Sequence, residues 1–315
     1  MAGHHDEHEH SHDRAHGAAH VHAPAKFGRA FACGIALNLA YLLAEAGFGI
    51  AANSLALISD AAHNLGDVLA LATAWGAAVL AGRQPTARYT YGLRRTSILA
   101  ALLNAAALLI ITGAIAWEAI LRFWGPPPAR AMIIILVAAA GIVVNAATAL
   151  LFVSGRKKDL NLRAVFQHMM ADALVAFGVV AAGVAMMLTG WHWLDPAASL
   201  AVSVIIVAGT WSLLREALNL SLDAVPQGIA RESVNLYLGG LPDVIEVHDL
   251  HIWGLSTTET ALTAHLICRP GVESATLLPG ICAEVRRRFG IGHVTIQLET
   301  EELARQCELR PDHVV

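Results

Sequence analysis

The sequence predicts a membrane all-α protein of six transmembrane helices, followed by a small cytoplasmic α+β domain. Three observations carry this reading. Of 315 residues, 56% are hydrophobic and only 15% charged, giving a mean hydropathy of +0.55. The apolar residues fall into six blocks, each near the roughly 20 residues that a bilayer-crossing helix needs. After the sixth block the pattern changes to short alternating runs bounded by polar turns, as in a small water-soluble fold.

The six blocks run approximately Phe31–Ile50, Leu55–Leu80, Ile98–Leu121, Ala131–Val153, Ala164–Leu188 and Ala197–Leu214. The fourth holds no charged residue and the first only Glu45. Orientation follows from Lys and Arg in the short connections, which favour the cytoplasmic side. Lys26 and Arg29 precede the first block, Arg83, Arg88, Arg94 and Arg95 follow the second, and Arg156, Lys157, Lys158 and Arg163 follow the fourth. The opposite side carries only Arg122 and Arg130, around Pro126-Pro127-Pro128. Both termini are therefore expected in the cytoplasm, and the Ala-rich composition fits a bacterial inner (plasma) membrane. No secretory signal peptide is visible, because the first 26 residues are polar and His-rich. Cys33, Cys268, Cys282 and Cys307 form no CxxC and suggest neither a disulfide framework nor a zinc knuckle. The net charge of −4 says little, since its distribution matters more than its sum.

Residues 1–25 form a low-complexity tail with eight of the sixteen histidines: His4, His5, His8, His10, His12, His16, His20 and His22. The tail lacks apolar residues to pack and is expected to be disordered. It is either a loose binder of zinc, nickel or copper or simply a solvated segment. The transmembrane domain then spans 26–222, a cytoplasmic metal-binding domain 223–300 and a C-terminal tail 301–315. In the cytoplasmic domain, Gln227–Leu238 reads as a helix with Pro226 near its start. Val244–Leu255 and Thr260–Cys268 read as strands, Ser274–Phe289 as a second helix and His293–Glu299 as a third strand. The order αββαβ suits a compact sheet with helices on one face. Residues from about Glu301 onward show no pattern.

Two tetrads with the same lettering sit inside apolar blocks: His63-Asn-Leu-Gly-Asp67 and His168-Met-Met-Ala-Asp172. Residues four apart share a helix face, so each tetrad stacks an imidazole over a carboxylate. Together they offer enough ligands for one tetrahedral divalent ion. Ionisable groups at membrane depth are costly and mark ion or proton paths. Asp60 lies at i−3 from His63 on the same face and is a candidate to orient the imidazole by accepting a hydrogen bond from it, or to relay protons. Glu45 is either a proton-relay group or a packing carboxylate kept neutral by burial. Asn38, Asn104 and Asn145 read as interhelical hydrogen-bonding groups. In the cytoplasmic domain, Val247-His248-Asp249-Leu250-His251-Ile252-Trp253 puts His248 and His251 on opposite faces of a strand. With His265 on the next strand and Glu299 ending the last, these groups could clamp a second metal. The alternative is surface histidines beside a solvated carboxylate.

These residues resemble the cation diffusion facilitator family, the zinc-transporter type in particular. The resemblance is carried by Ser54-Leu-Ala-Leu-Ile-Ser-Asp60-Ala-Ala-His63-Asn-Leu-Gly-Asp67, by Tyr91-Gly92 with Arg95, and by Leu99-Ala-Ala-Leu-Leu-Asn104. It continues through Lys158-Asp-Leu-Asn-Leu-Arg163, His168-Met-Met-Ala-Asp172, Val247-His-Asp-Leu-His-Ile-Trp253 and Thr295-Ile-Gln-Leu-Glu299. It implies six spans, a cytoplasmic ferredoxin-like domain, a homodimer, and export of divalent metal in exchange for protons. The implied transport site is His63, Asp67, His168 and Asp172. Two departures stand out. Ser97 follows Arg95 where relatives often carry Glu, and Gly292 stands where they often carry His, with His293 next to it. The cytoplasmic set is therefore taken as His248, His265 and Glu299, without His293.

The ligand types lead to the same machine. Zinc takes neutral imidazoles and ionised carboxylates, so binding releases protons, and histidine titrates near neutral pH. Two His and two carboxylates favour Zn²⁺, with Cd²⁺ and Co²⁺ accommodated; an all-carboxylate site would point to Mn²⁺. The expected partners are divalent metal ions, protons, the bilayer and a second copy of the chain, with no organic cofactor and no nucleic acid. The competing readings are an exporter of another late transition metal (Co²⁺, Ni²⁺) and a membrane-bound metal sensor. A membrane metalloprotease would need a water-activating Glu beside its ligands, as in HExxH, and the sequence has none.

Overall fold

The computed structural model describes residues 29–81, 83–152, 160–307 and 309–310. The His-rich tail expected to be disordered lies outside the described residues, as do Lys26 and the cluster Arg156, Lys157 and Lys158. Six long helices come first: α1 (Arg29–Ala52), α2 (Leu55–Ala81), α3 (Thr96–Arg122), α4 (Ala131–Phe152), α5 (Leu160–Thr189) and α6 (Leu194–Ser221). The spans Thr96–Arg122, Ala131–Leu150, Phe166–Thr189 and Leu194–Ser221 are long and apolar enough to cross a membrane, and α1 contributes a shorter apolar stretch, Ala36–Ala52. Leu43, Leu103, Ile110, Leu136, Val143, Leu174, Leu188 and Val204 turn outward, 62% to 77% exposed. A water-soluble bundle would bury such residues; a lipid-facing one need not.

Between the helices the packing uses small residues. Ala56, Ala138, Ala105 and Ala119 are buried, and Leu57, Ile134, Val179 and Ile206 join α2, α4, α5 and α6 in one cluster. A Cβ on Gly66 would stand 2.6 Å from Leu108 Cδ2, so a side chain there would force Leu108 of α3 to shift. Two helices run furthest beyond the expected blocks. α5 starts at Leu160 rather than Ala164, and α6 covers Leu194–Ser221 rather than Ala197–Leu214. An apolar count stops at polar residues such as Arg215 and Glu216, whereas the helical backbone continues through them. α6 ends where Asp223 takes a left-handed φ of 58°.

The first turn of α2 is capped from another helix. Asp195 on α6 accepts hydrogen bonds from the backbone N–H of Leu55 (2.8 Å) and Ala56 (3.3 Å), and from the Ser54 hydroxyl. Ser54 Oγ in turn accepts from Leu57 N at 3.3 Å. Orphan N–H groups at a helix start need such partners, and an anion there also meets the positive end of the helix dipole.

The C-terminal region consists of α7 (Arg231–Gly239), β1 (Val244–Gly254), β2 (Thr260–Cys268), α8 (Ser274–Phe289), β3 (His293–Glu299) and α9 (Glu301–Ala304). The sheet order is β1-β2-β3, with β1 and β2 antiparallel and β2 and β3 parallel. Val234 and Leu238 of α7 and Ile281 and Val285 of α8 pack on Leu250, Ile252, Leu262, Ala264 and Leu266, so both helices cover one sheet face. Two expectations are corrected. The helix expected over Gln227–Leu238 begins at Arg231, because residues 226–229 form a turn, with Ile229 N on Pro226 O (3.2 Å) and Gly228 at φ 87°. The tail expected to be patternless forms α9, whose start is capped by Thr300 Oγ1 accepting from Leu303 N at 3.3 Å.

The sheet adjoins the start of α3. Arg94 pairs with Glu259 at 2.8 Å, Thr257 N donates to Ser97 Oγ at 3.1 Å, and Arg95 pairs with Asp223. Ser97 therefore meets the β1–β2 hairpin directly. Removing the cap of α2 is the sharpest test of this packing. Asp195→Ala leaves buried donors unsatisfied and is expected to destabilise the protein by about 1–3 kcal/mol. Thermal unfolding in detergent checks this; an unchanged midpoint contradicts the capping role.

Candidate metal sites

The two tetrads face each other across α2 and α5. Each histidine meets the carboxylate of the other helix: His63 Nε2 lies 3.1 Å from Asp172 Oδ1, and His168 Nε2 lies 3.0 Å from Asp67 Oδ2. His168 Nε2 is also 3.7 Å from Asp172 Oδ2, and the two rings are edge-to-face with centroids 6.0 Å apart. Ligand atoms of His63, Asp67 and Asp172 all lie within 4.8 Å of one another. A tetrahedral ion with bonds of about 2.0–2.1 Å has neighbouring ligand atoms about 3.4 Å apart. The observed His–Asp separations bracket that edge length, while His168 touches Asp67 and Asp172 but lies outside the group of three whose ligand atoms are mutually within 4.8 Å. Asp172 Oδ2 has no hydrogen-bond partner, an acceptor left over for a cation.

Exposure is graded along the site. The side chains of Asp67 and His168 are 31% and 34% exposed, that of His63 is 19% and that of Asp172 only 4%. Asp67 follows His63 along α2, and His168 precedes Asp172 along the antiparallel α5. The two more open groups therefore lie toward one end of the bundle and the two closed ones a turn deeper.

Behind His63 lies a second buried polar group. Glu45 is fully buried, with Tyr41 Oη donating to Oε1 at 2.6 Å and Asn64 Nδ2 donating to Oε2 at 2.9 Å. The carboxyl group of Asp60, also buried, adjoins that of Glu45. Asp60 makes no hydrogen bond to His63 among the described residues, so its observed neighbour is Glu45 rather than the imidazole. Gly141 on α4 makes room for Tyr41: a Cβ there would stand 2.2 Å from Oη. Asn38 Nδ2 donates to Thr148 Oγ1 on α4 at 3.4 Å. The buried side-chain oxygens of Asn104 and Asn145 have no partner among the described residues.

In the C-terminal region His248, His265 and Glu299 converge on the sheet face opposite α7 and α8. His265 Nδ1 lies 3.0 Å from Glu299 Oε1, and His248 Nε2 lies 3.4 Å from Glu299 Oε2. The side chains of His248 and Glu299 are 2% and 1% exposed. Neither ring nitrogen of His248 nor Glu299 Oε2 has a hydrogen-bond partner. Burying unpaired polar atoms is costly, and a cation among them removes the cost, so these residues fit a resident metal. The alternative of surface histidines with a solvated carboxylate does not describe side chains this buried.

The expectation that His248 and His251 lie on opposite strand faces is corrected. His248 pairs with His265 but His251 pairs with Thr263, so Asp249 and Leu250 of β1 together oppose Ala264 of β2. Asp249 sits in this bulge at φ 51°. The extra residue reverses the alternation and returns His251 to the face of His248. His251 Nε2 then meets Asp249 Oδ1 at 2.7 Å, outside the central cluster. His293 is exposed and edge-on to Tyr91, 5.4 Å between ring centroids, away from the cluster. Sequence reasoning missed Cys307, whose ligand atom belongs to the same group as those of His248, His265 and Glu299. The Thr300-Glu301-Glu302 start signal of a helix was the available clue that this segment is ordered.

Comparison with known proteins agrees with this layout. The cation efflux transmembrane domain matches residues 32–220, and the cytoplasmic domain of cation efflux proteins matches 226–301. A cadmium, cobalt and zinc/H(+)-K(+) antiporter of Bacillus subtilis is 34% identical over 83% of this chain and 85% of its own. The metal cation efflux system protein CzcD of Cupriavidus metallidurans is 35% identical, covering 86% of each chain. The zinc transporter ZitB of Pectobacterium atrosepticum is 33% identical over 84% of this chain and 82% of its own.

The Tyr41 contact gives a test of the buried polar group. Gly141→Ala is expected to lower the thermal midpoint by displacing Tyr41 from Glu45. Adding Tyr41→Phe is expected to cost less in that background than in the wild type, a non-additivity that marks direct contact. Strictly additive effects contradict it.

Proposed function

The chain belongs to the cation efflux family and is a metal-cation efflux transporter, and on that premise we propose that it exports Zn²⁺, with Cd²⁺ and Co²⁺ as further cargo, in exchange for protons. The transport site in this reading is His63, Asp67, His168 and Asp172. The observation that carries it is the reciprocal pairing of the two tetrads, His63 with Asp172 and His168 with Asp67. The names of the relatives support zinc, cadmium and cobalt, and the two-imidazole, two-carboxylate donor set suits those borderline and soft ions.

The charge balance of the site explains why protons are the counter-cargo. With both imidazoles protonated, two positive charges sit against two carboxylates. With a divalent ion on neutral imidazoles, the same two carboxylates face the same total positive charge. Exchange of one ion for two protons keeps the buried site near neutrality, which low-dielectric surroundings favour. Asp67 and His168, the more exposed ligands, form the entry side, and His63 and Asp172 the closed side. Alternating access then requires α2 and α5 to close at the first pair and open at the second. Glu45 and Asp60, stacked behind His63, are proposed as the route by which protons reach or leave the site.

The remaining organisation is read consistently. All six long helices span the membrane, both termini are cytoplasmic, and the membrane is the bacterial inner membrane. The mixed sheet with α7 and α8 on one face is a ferredoxin-like cytoplasmic domain spanning about 223–300, after a transmembrane domain of 26–222. It pairs with a second copy in a homodimer, and His248, His265 and Glu299 hold a regulatory metal. The family and its named members transport rather than catalyse, so no enzymatic step is involved.

Flux into proteoliposomes under an imposed pH gradient tests the proposal, with Zn²⁺, Cd²⁺, Co²⁺, Ni²⁺ and Mn²⁺ in parallel. Asp172→Ala is expected to reduce zinc flux to that of empty vesicles while the protein still inserts; undiminished flux refutes the site. Glu45→Gln is expected to retain zinc binding and slow gradient-driven flux several-fold. Wild-type flux from that variant makes Glu45 a packing residue. A protein that binds zinc and moves none is a sensor.

A further inference from the structure

Four observations in the C-terminal region concern Cys307. Its thiol is free, and Sγ lies 3.8 Å from His265 Nδ1, the ring nitrogen that faces Glu299 Oε1 at 3.0 Å. The ligand atoms of His248, His265, Glu299 and Cys307 all lie within 4.8 Å of one another. Nε2 of the buried His248 ring lies 3.4 Å from Oε2 of the buried Glu299, and neither atom has a hydrogen-bond partner. The other nitrogen of His265, Nε2, faces Asp249 Oδ2 at 3.6 Å.

We propose that Cys307 is the fourth ligand of the cytoplasmic metal site, completing a two-nitrogen, one-oxygen, one-sulfur set with His248, His265 and Glu299. This rests on the reading of the latter three as a metal site and adds to it the thiolate. Four ligands of these types are a complete tetrahedral shell of the closed, structural kind. Asp249 is the positioning residue: a carboxylate on Nε2 leaves Nδ1 of His265 as the metal-binding nitrogen and holds the ring in place. The bulge that gives Asp249 its positive φ is what aims that carboxylate at His265 rather than along the alternation of β1.

The chain fastens Cys307 from both sides. Upstream, Thr300 caps α9, and Ala304 of that helix is fully buried. Cys307 N donates to Ala304 O at 3.3 Å. Downstream, Arg310 makes a two-pronged pair with Glu246 of β1, at 3.1 Å and 2.8 Å. The segment after β3 therefore crosses the sheet face that α7 and α8 leave open, and a thiolate–metal bond would pin its middle. Metal capture by the cytoplasmic domain is then coupled to the docking of its last segment. A sulfur ligand also tilts the site toward Zn²⁺ and Cd²⁺ and away from Mn²⁺ and Mg²⁺.

Cobalt titration of the full-length protein in detergent, in an Asp172→Ala background that removes the proposed transport site, tests this. Sulfur bonded to Co²⁺ gives a near-ultraviolet charge-transfer band that nitrogen and oxygen ligands, including the His-rich tail, do not. The expected result is that band together with the visible bands of tetrahedral cobalt. Cys307→Ser and Cys307→Ala are each expected to abolish the charge-transfer band and weaken cobalt binding at this site at least several-fold, while Cys282→Ser leaves both intact. A tetrahedral visible spectrum that His265→Ala removes, without any charge-transfer band, overturns the role of Cys307 and leaves the three-residue site standing. No tetrahedral spectrum, and no change in bound cobalt on His265→Ala, overturns both. A band that survives Cys307→Ser assigns the sulfur elsewhere and also overturns the proposal.

Discussion

The reciprocal pairing of His63 with Asp172 and of His168 with Asp67 is the constraint from which the transmembrane architecture follows. Four ionisable side chains at membrane depth are costly unless each has a partner of opposite character. Pairing across helices, rather than within each tetrad, satisfies all four only at one relative rotation and height of α2 and α5. The neighbouring helices hold that alignment. Asp195 of α6 closes the first turn of α2, and the Leu57, Ile134, Val179 and Ile206 cluster ties α2, α4, α5 and α6 together just beyond the site. Gly66, between His63 and Asp67 on α2, lies against the Leu108 side chain of α3.

The same constraint links the site to the rest of the molecule. In the proposed exchange, a divalent ion in place of two protons would leave the net charge of the pocket unchanged but draw four atoms toward one centre, a small local contraction that two packed helices could convert into a change of opening. α3 and α6, packed beside α2, reach the cytoplasmic domain through Arg94–Glu259, Ser97–Thr257 and Arg95–Asp223. These contacts are polar and partly exposed. Beside them the buried Ile98 of α3 and Leu220 of α6 lie against Gly254 of β1, so the junction combines polar pairs with an apolar contact.

What could be read from the sequence differed from element to element, for physical reasons. The tetrads were legible because a four-residue spacing defines a helix face without any knowledge of the fold, and because ionisable residues stand out in apolar blocks. Their crosswise pairing was not, since it depends on the packing of helices more than a hundred positions apart. The strands β1, β2 and β3 followed from alternation, but the bulge at Asp249 left no sequence signal beyond an Asp, one of the few non-glycine residues that tolerate a left-handed φ. That single inserted residue returned His251 to the face of His248 and aimed Asp249 at His265. Asp195 was hidden in a short connection because its partners are backbone groups of α2. Cys307 was hidden because its place beside His265 depends on where α9 delivers it, not on any spacing to His248, His265 or Glu299.

The central claim is that one ion is held between α2 and α5 by two imidazoles and two carboxylates. Anomalous scattering at the zinc edge from the metal-loaded protein tests it most directly. The account predicts a single transmembrane ion, about 2.0–2.1 Å from a nitrogen of His63 and of His168 and from an oxygen of Asp67 and of Asp172. Zinc found only in the cytoplasmic domain at saturating metal, with these four side chains turned apart, would contradict it.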